Sequence, residues 1–205
     1  MRVLSLCDLT GTMVKPWLDA GFPCTIVDLQ HEPGSQRDGL LTRVGADILS
    51  YLPPIDEYQI VFAFPPCTDL AVSGARWFKD KGLAALGASL GLVDRCRQIA
   101  EWSGAPWMIE NPVSTLSTYW REPDYRFDPC DFGGYCSPAS DAYTKKTCLW
   151  TSEDFVMPLP LRVEPTEGSK MHRLSPGPER ANLRSATPEG FARAVFVANA
   201  ERAFA

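Results

Sequence analysis

The chain has no apolar stretch approaching the ~20 residues needed to cross a bilayer. Its start, Met1-Arg2-Val3-Leu4-Ser5-Leu6, runs into Asp8 too soon for a secretory signal. A cytoplasmic location with no membrane partner is therefore expected. CxxC pairs are also missing. The seven cysteines (Cys7, Cys24, Cys67, Cys96, Cys130, Cys136 and Cys148) are odd in number and build no disulfide framework, so they read as reduced thiols. Cys130, Cys136 and Cys148 with His172 match no common zinc spacing, and no metal is expected. Positive charge is in deficit, with 20 Lys and Arg against 25 Asp and Glu and a net charge of -5. That balance argues against non-specific, phosphate-driven binding as the main activity.

What is present describes a folded chain. Of the 205 residues 45% are apolar, 22% charged and 11% aromatic, enough to enclose a core without staples. Neither an internal repeat nor a clean linker divides it. A single domain over residues 1–205 is expected, with a loop-rich, substrate-facing region at about 112–186 and a closing helix at about 188–204.

The first half alternates strands and helices. Val3 to Cys7 is a short apolar run, Pro16 opens a helix that Gly21 closes, and Cys24-Thr25-Ile26-Val27-Asp28 is a second run ending in an acid. Gln59 to Phe64 is a third buried strand stopped by Pro65-Pro66, and Trp107-Met108-Ile109 a fourth, stopped by Glu110-Asn111-Pro112. Between these two, Leu83, Leu86, Leu90, Val93, Arg97 and Ala100 form a helical stripe. At the end, Thr187 caps and Pro188 begins a helix with Phe191, Ala194, Val195 and Ala198 on one face. The pattern predicts an α/β fold, a mostly parallel sheet with helices on both faces.

In such a sheet ligands bind beyond the carboxyl ends of the strands. The first strand ends in the small-residue turn Cys7-Asp8-Leu9-Thr10-Gly11-Thr12, which brings backbone close to a ligand. Asp28 ends the second strand 17 positions after Gly11, near the spacing at which a carboxylate meets ribose hydroxyls. Asp47, in Gly45-Ala46-Asp47-Ile48-Leu49, is placed to meet an adenine amino group. Each acid has an alternative role as a cap or a turn residue. The third strand end holds Cys67 on a stiff turn after two prolines, and a nucleophilic thiol there needs a lowered pKa. The fourth supplies Glu110, a carboxyl whose pKa burial should raise, as suits a proton donor.

Pro65-Pro66-Cys67, Glu110-Asn111-Pro112 and the opening Val3 to Gly11 resemble, in chain order, motifs of the DNA cytosine-C5 methyltransferases, especially short phage and bacterial members. Thr187 to Ala194 is similar to the final helix that completes the cofactor pocket in that family. The resemblance spans most of the chain. It implies a Rossmann-like class I S-adenosylmethionine-dependent methyltransferase fold and methyl transfer to C5 of cytosine in DNA, with the base flipped out. It implies Cys67 as the nucleophile at C6 and Glu110 as the acid at N3. The cofactor, S-adenosylmethionine, is then held by Leu6, Asp8, Thr10, Gly11, Asp28, Asp47, Phe64 and Pro65. Pro66, Asn111, Lys145, Lys146, Arg180 and Arg184 face the substrate.

The chain also departs from that pattern. Leu9 stands at a usual glycine position, and the later arginine motif has no counterpart except Tyr143-Thr144-Lys145-Lys146-Thr147. There is no room for a large target-recognition domain, so a second copy or a recognition partner is a further expectation. Lys170, Arg173, Arg180, Arg184 and Arg193 against Glu179 and Glu189 make the local basic segment expected to meet DNA. Trp77, Trp120 and Trp150 are candidates for base stacking, although at least two of the three are expected in core or loops. The same chemistry on a free or modified pyrimidine nucleotide, and a non-catalytic cofactor-binding subunit, are the competing readings.

Overall fold

The computed structural model describes residues 2–54, 58–169, 177 and 180–200, without the side chains of residues 180 and 181. Seven strands form one sheet: β1 (Arg2–Leu6), β2 (Cys24–Asp38), β3 (Leu41–Gly45), β4 (Tyr58–Ala63), β5 (Trp107–Pro112), β6 (Tyr125–Phe127) and β7 (Thr147–Thr151). Their order is β3-β2-β1-β4-β5-β7-β6. β1 lies parallel to β2 and β4, and β4 parallel to β5. β7 runs antiparallel to both β5 and β6. Chain order reverses between β1 and β4, and in a Rossmann-like parallel sheet of this order a binding crevice lies beyond the carboxyl ends at that point.

The central strands are apolar throughout because both of their faces are covered. Side chains alternate across the sheet. Val3, Ile26, Ile60, Phe62 and Met108 enter one layer with Trp17, Phe191 and Val195. Leu4, Leu6, Val27, Val61, Ala63 and Ile109 enter the other with Val93, Cys96 and Ile99. The first layer is closed by α1 (Lys15–Asp19) and α5 (Glu189–Ala200), the second by α2 (Phe78–Ser103). Trp17 of α1 stands edge-on to Phe196 of α5 at 5.1 Å, clasping the two helices together.

Two expectations need correction. The α2 stripe does not begin at Leu83, which is 86% exposed. Gly82, at φ 73°, breaks the helix and leaves Leu83 in the turn after the break. β2 does not stop at Asp28. The chain passes Pro33 and Gly34 and pairs antiparallel on β3, with Ser35 opposite Val44 and Asp38 opposite Leu41. Gly45 permits this doubling back, since a Cβ there would overlap the Glu32 carbonyl. Among the described residues, no helix is long and apolar enough to cross a membrane.

Between Pro112 and Thr187 the described residues form β6, β7, two 3-10 turns, α3 (Leu116–Tyr119) and α4 (Arg180–Ser185). The tryptophans divide as expected. Trp150 is fully buried and Trp120 stacks on it at 5.9 Å, while Trp77 is 52% exposed.

Candidate active site

Cys67 and Glu110 meet because β4 and β5 are parallel neighbours and their exit loops are stapled together. The Asn111 side-chain amide donates to the Pro65 carbonyl at 3.1 Å. Val72 N–H donates to Val113 O at 3.1 Å, and Thr115 N–H to Leu70 O at 3.0 Å. Leu70 and Ala71 N–H both donate to the Cys67 carbonyl, folding the segment after the cysteine into a tight turn. Asn111 is itself fully buried. It braces the cysteine loop through this amide bond. Of the two prolines, Pro65 is buried and Pro66 exposed.

Glu110 shares a sheet face with Met108, so its side chain enters the layer between sheet and α5. A narrow cavity there is lined by Glu110, Phe64, Phe127, Thr147, Thr187 and Phe191. Burial among these aromatics pushes the Glu110 carboxyl above the usual carboxylate range, against the pull of Lys145. Lys145 Nζ lies 3.9 Å from Glu110 Oε1. The antiparallel register puts Thr147 opposite Pro112, and Thr147 Oγ1 donates to the Lys145 carbonyl at 2.9 Å. Lys145 therefore sits at the mouth of the cleft, whereas Lys146 is exposed.

The Cys67 thiol is half-buried. Burial, and then the charge of Glu110, push its pKa up, while Lys145 and Arg184 oppose the rise. The lowered pKa expected for a nucleophile is thus not present in the free protein. Lys145 and Arg184 are the charges that would stabilise its anion. Arg184 was expected on a phosphate-binding surface, yet its charge acts on Cys67. Helix α4 carries it there across the carboxyl edge of the sheet, and Asn182 Nδ2 of the same helix donates to Gln30 Oε1 at 3.2 Å. The side chain of Arg180, together with Lys170, His172, Arg173 and Glu179, lies outside the described residues. Arg193 pairs with Glu189 at 2.7 Å, one turn away on α5, and both side chains are exposed.

The expected cofactor residues divide into three groups. Leu6 is wholly in the core and its carbonyl accepts from Phe64 N–H at 3.0 Å, so its side chain touches no ligand. Asp8 is buried, with its carboxylate accepting from Ser5 Oγ at 2.7 Å and Gly11 N–H at 2.7 Å. Burial raises its pKa, and Asp28 adds a smaller like-charge contribution. Asp8 therefore shapes the turn through bonds that are already made. Thr10 extends the same turn, its hydroxyl 3.0 Å from that of Thr12. Gly11, at φ 69°, takes the left-handed conformation that only glycine adopts readily. Asp28 is half-buried at the end of the parallel part of β2, one oxygen accepting Gln30 N–H at 2.8 Å. Asp47 is exposed and caps its own turn by accepting Leu49 N–H at 2.9 Å on one oxygen.

Sequence reading passed over His31, whose Nε2 lies 3.1 Å from the Asp8 carbonyl and fastens the β2 exit to the β1 turn. It also passed over Phe127 and Thr147 beside Glu110. Neither carries a local signal, because strand pairing brings them there. Among the described residues no three potential metal ligands converge.

No protein-family model matches the chain, and no curated protein matches it. Solved structures of the glycopeptide N-methyltransferase MtfA do match. The complex with (S)-adenosyl-L-homocysteine is 17% identical over 62% of this chain and 52% of that one, with a TM-score of 0.32. The complex with (S)-adenosyl-L-methionine is 17% identical over 62% and 53%, with a TM-score of 0.30. The chain spans about half the length of these structures. A likeness this distant carries neither a substrate nor a cofactor over to the chain.

Proposed function

We propose that this protein methylates C5 of cytosine in DNA, with S-adenosylmethionine as methyl donor and a covalent bond from Cys67 to C6 of the base. The observation that carries the reading is the convergence of a half-buried thiol, a buried carboxyl of raised pKa and a lysine 3.9 Å from that carboxyl, at two adjacent strand ends. A nucleophile beside a carboxyl that burial makes a readier proton donor is what addition to an electron-poor ring requires.

The edge beyond β1 and β2 fits an adenosine-bearing cofactor. The Gly11 turn brings backbone close, and among the described residues the second oxygen of Asp28 carries no hydrogen bond, leaving it open to ribose hydroxyls. When bound, S-adenosylmethionine supplies an electrophilic methyl group on a sulfonium.

The chain's own residues perform the rest. The Cys67 thiol loses its proton to water as its sulfur forms a bond to C6, and the ring electrons are displaced towards N3, where Glu110 gives up its proton. C5 thereby becomes nucleophilic and would accept the methyl group that the bound cofactor supplies. Water or hydroxide then takes the C5 proton, N3 returns its proton to Glu110, and the C5–C6 double bond re-forms as the C6–S bond breaks and releases the thiolate. Lys145 and Arg184 offset the negative charge that moves between sulfur, ring and carboxylate. Because C5 and C6 are shielded in a stacked duplex, the base must be flipped out at a cost of a few kcal/mol.

The test is trapping with 5-fluorocytosine, whose fluorine cannot leave as the proton does. With S-adenosylmethionine present, a duplex containing this base should yield a stable adduct that peptide mapping places on Cys67. No adduct under turnover conditions sinks the covalent mechanism. Tethering of Arg193 by Glu189, in a chain of net charge -5, favours a second reading in which a free or modified pyrimidine nucleotide is the substrate. An adduct with the 5-fluoro nucleotide but none with the duplex decides for it.

Asp28→Ala should weaken S-adenosylmethionine by about 1.5 to 3 kcal/mol, roughly ten- to a hundredfold in Kd, the value of a charged hydrogen bond. Calorimetry showing unchanged affinity would remove Asp28 from the pocket.

A further inference from the structure

Cys7 is the last residue before the Asp8–Gly11 turn, and its Sγ lies 3.9 Å from Sγ of Cys96 on α2, 89 positions away. Cys7 is half-buried and Cys96 fully buried. Cys7 also has φ 53°, a conformation that a side chain with a Cβ seldom adopts. The remaining thiols lack this arrangement. Cys24 points at the Phe22 and Val14 carbonyls, and among the described residues Cys67, Cys130, Cys136 and Cys148 have no thiol neighbour within bonding reach.

We propose that Cys7 and Cys96 form a reversible intramolecular disulfide when the protein meets a peroxide, and that this bond weakens the cofactor site. The half-buried Cys7 reacts first. Its thiolate sulfur attacks one peroxide oxygen, an S–O bond forms, the O–O bond breaks, and hydroxide leaves as water after taking a proton. The Cys96 sulfur then attacks the Cys7 sulfur. The S–S bond forms, the S–O bond breaks, and the departing hydroxide takes the Cys96 proton as a second water. The two thiols have given two electrons to the peroxide, and an external dithiol returns them by exchange.

Bonding requires the sulfurs to close from 3.9 Å to about 2.05 Å. The fully packed α2 side yields less than the turn, so Cys7 moves. Asp8 follows it, although its N–H is bound to Val27 O at 3.1 Å and its carboxylate to Gly11 N–H at 2.7 Å. The turn assigned to the cofactor is thereby drawn towards α2. This consequence rests on the proposed function, whereas the cross-link itself does not.

The full chain, treated with hydrogen peroxide and mapped by mass spectrometry, should lose about 2 Da in a peptide pair joining Cys7 to Cys96, and dithiothreitol should restore it. S-adenosylmethionine affinity should fall about tenfold on oxidation and recover on reduction. In Cys96→Ala, Cys7 should instead proceed to the sulfinic acid, with no joined peptides. In Cys7→Ser no cross-link should form at all. Sulfinic acid at Cys7 in the wild type, without the linked pair, overturns the proposal. A linked pair with unchanged cofactor affinity overturns its regulatory part. Failure of the reduced protein to bind S-adenosylmethionine counts instead against the proposed function.

Discussion

Cys67→Ala will lose cytosine methylation by a factor on the order of 10^4 or more, because without the sulfur C5 has no route to become nucleophilic. The same variant should fold normally. The Cys67 side chain is only half-buried, and the turn it occupies is held by its carbonyl, which accepts Leu70 N–H at 3.0 Å and Ala71 N–H at 2.9 Å, and by Asn111 on the neighbouring Pro65 carbonyl. All of these bonds survive truncation to alanine. Thermal unfolding should therefore shift by less than the equivalent of about 1 kcal/mol, and calorimetry should find S-adenosylmethionine affinity nearly unchanged. Methyl transfer persisting at more than a small fraction of the wild-type rate would dismiss the covalent mechanism. A collapse of folding would reassign Cys67 to a packing role.

Glu110→Gln should lower the chemical step by about 10^2- to 10^4-fold while leaving cofactor affinity in place, since the proton is needed only when charge develops on the ring. The shape of the side chain is kept, so the aromatic cavity around it is not disturbed. A second readout follows from charge. Glu110, when ionised, is among the causes that raise the Cys67 pKa, and Lys145 and Arg184 act in the opposite direction. Removing the carboxylate should lower the thiol's pKa, so that at neutral pH Cys67 in Glu110→Gln is alkylated faster by iodoacetamide than in the wild type. In both proteins alkylation should rise with pH, since the thiolate is the reactive form. A variant that turns over slowly yet is alkylated faster separates the acid role from simple damage to the loop. Slower alkylation, or a loss of cofactor affinity that accounts for the slower turnover, would reassign Glu110.

The two active-site motifs were legible because each follows a central parallel strand. Such strands are buried on both faces, so Tyr58–Ala63 and the start of Trp107–Pro112 read as unbroken apolar runs. Their chemistry begins where that run ends, at Pro65-Pro66 and at Glu110. The raised pKa of Glu110 was legible for the same reason, as a carboxyl on the end of a hydrophobic strand has little water near it. Helix α5 was legible from Thr187, Pro188 and its apolar face. In each case the information is local, a matter of periodicity, capping and desolvation within about a dozen residues.

What the sequence by itself determined, then, is the alternation of elements, the parallel centre of the sheet and the two strand ends that carry Cys67 and Glu110. Tertiary structure decided the rest, because those features depend on pairings between distant segments. The fold-back of residues 33–38 onto β3 is set by strand pairing and by the backbone crowding at Gly45. Lys145 is brought to Glu110 and Lys146 left in solvent by the antiparallel register of β7 on β5. Asn111 became a brace only when β4 and β5 became neighbours. Arg193 pairs with Glu189 and the charge of Arg184 reaches the cysteine by helix placement, and Cys7 met Cys96 across 89 positions by the packing of α2 on the sheet. Charge and thiol chemistry vary steeply over a few ångströms, and only the folded chain sets distances on that scale.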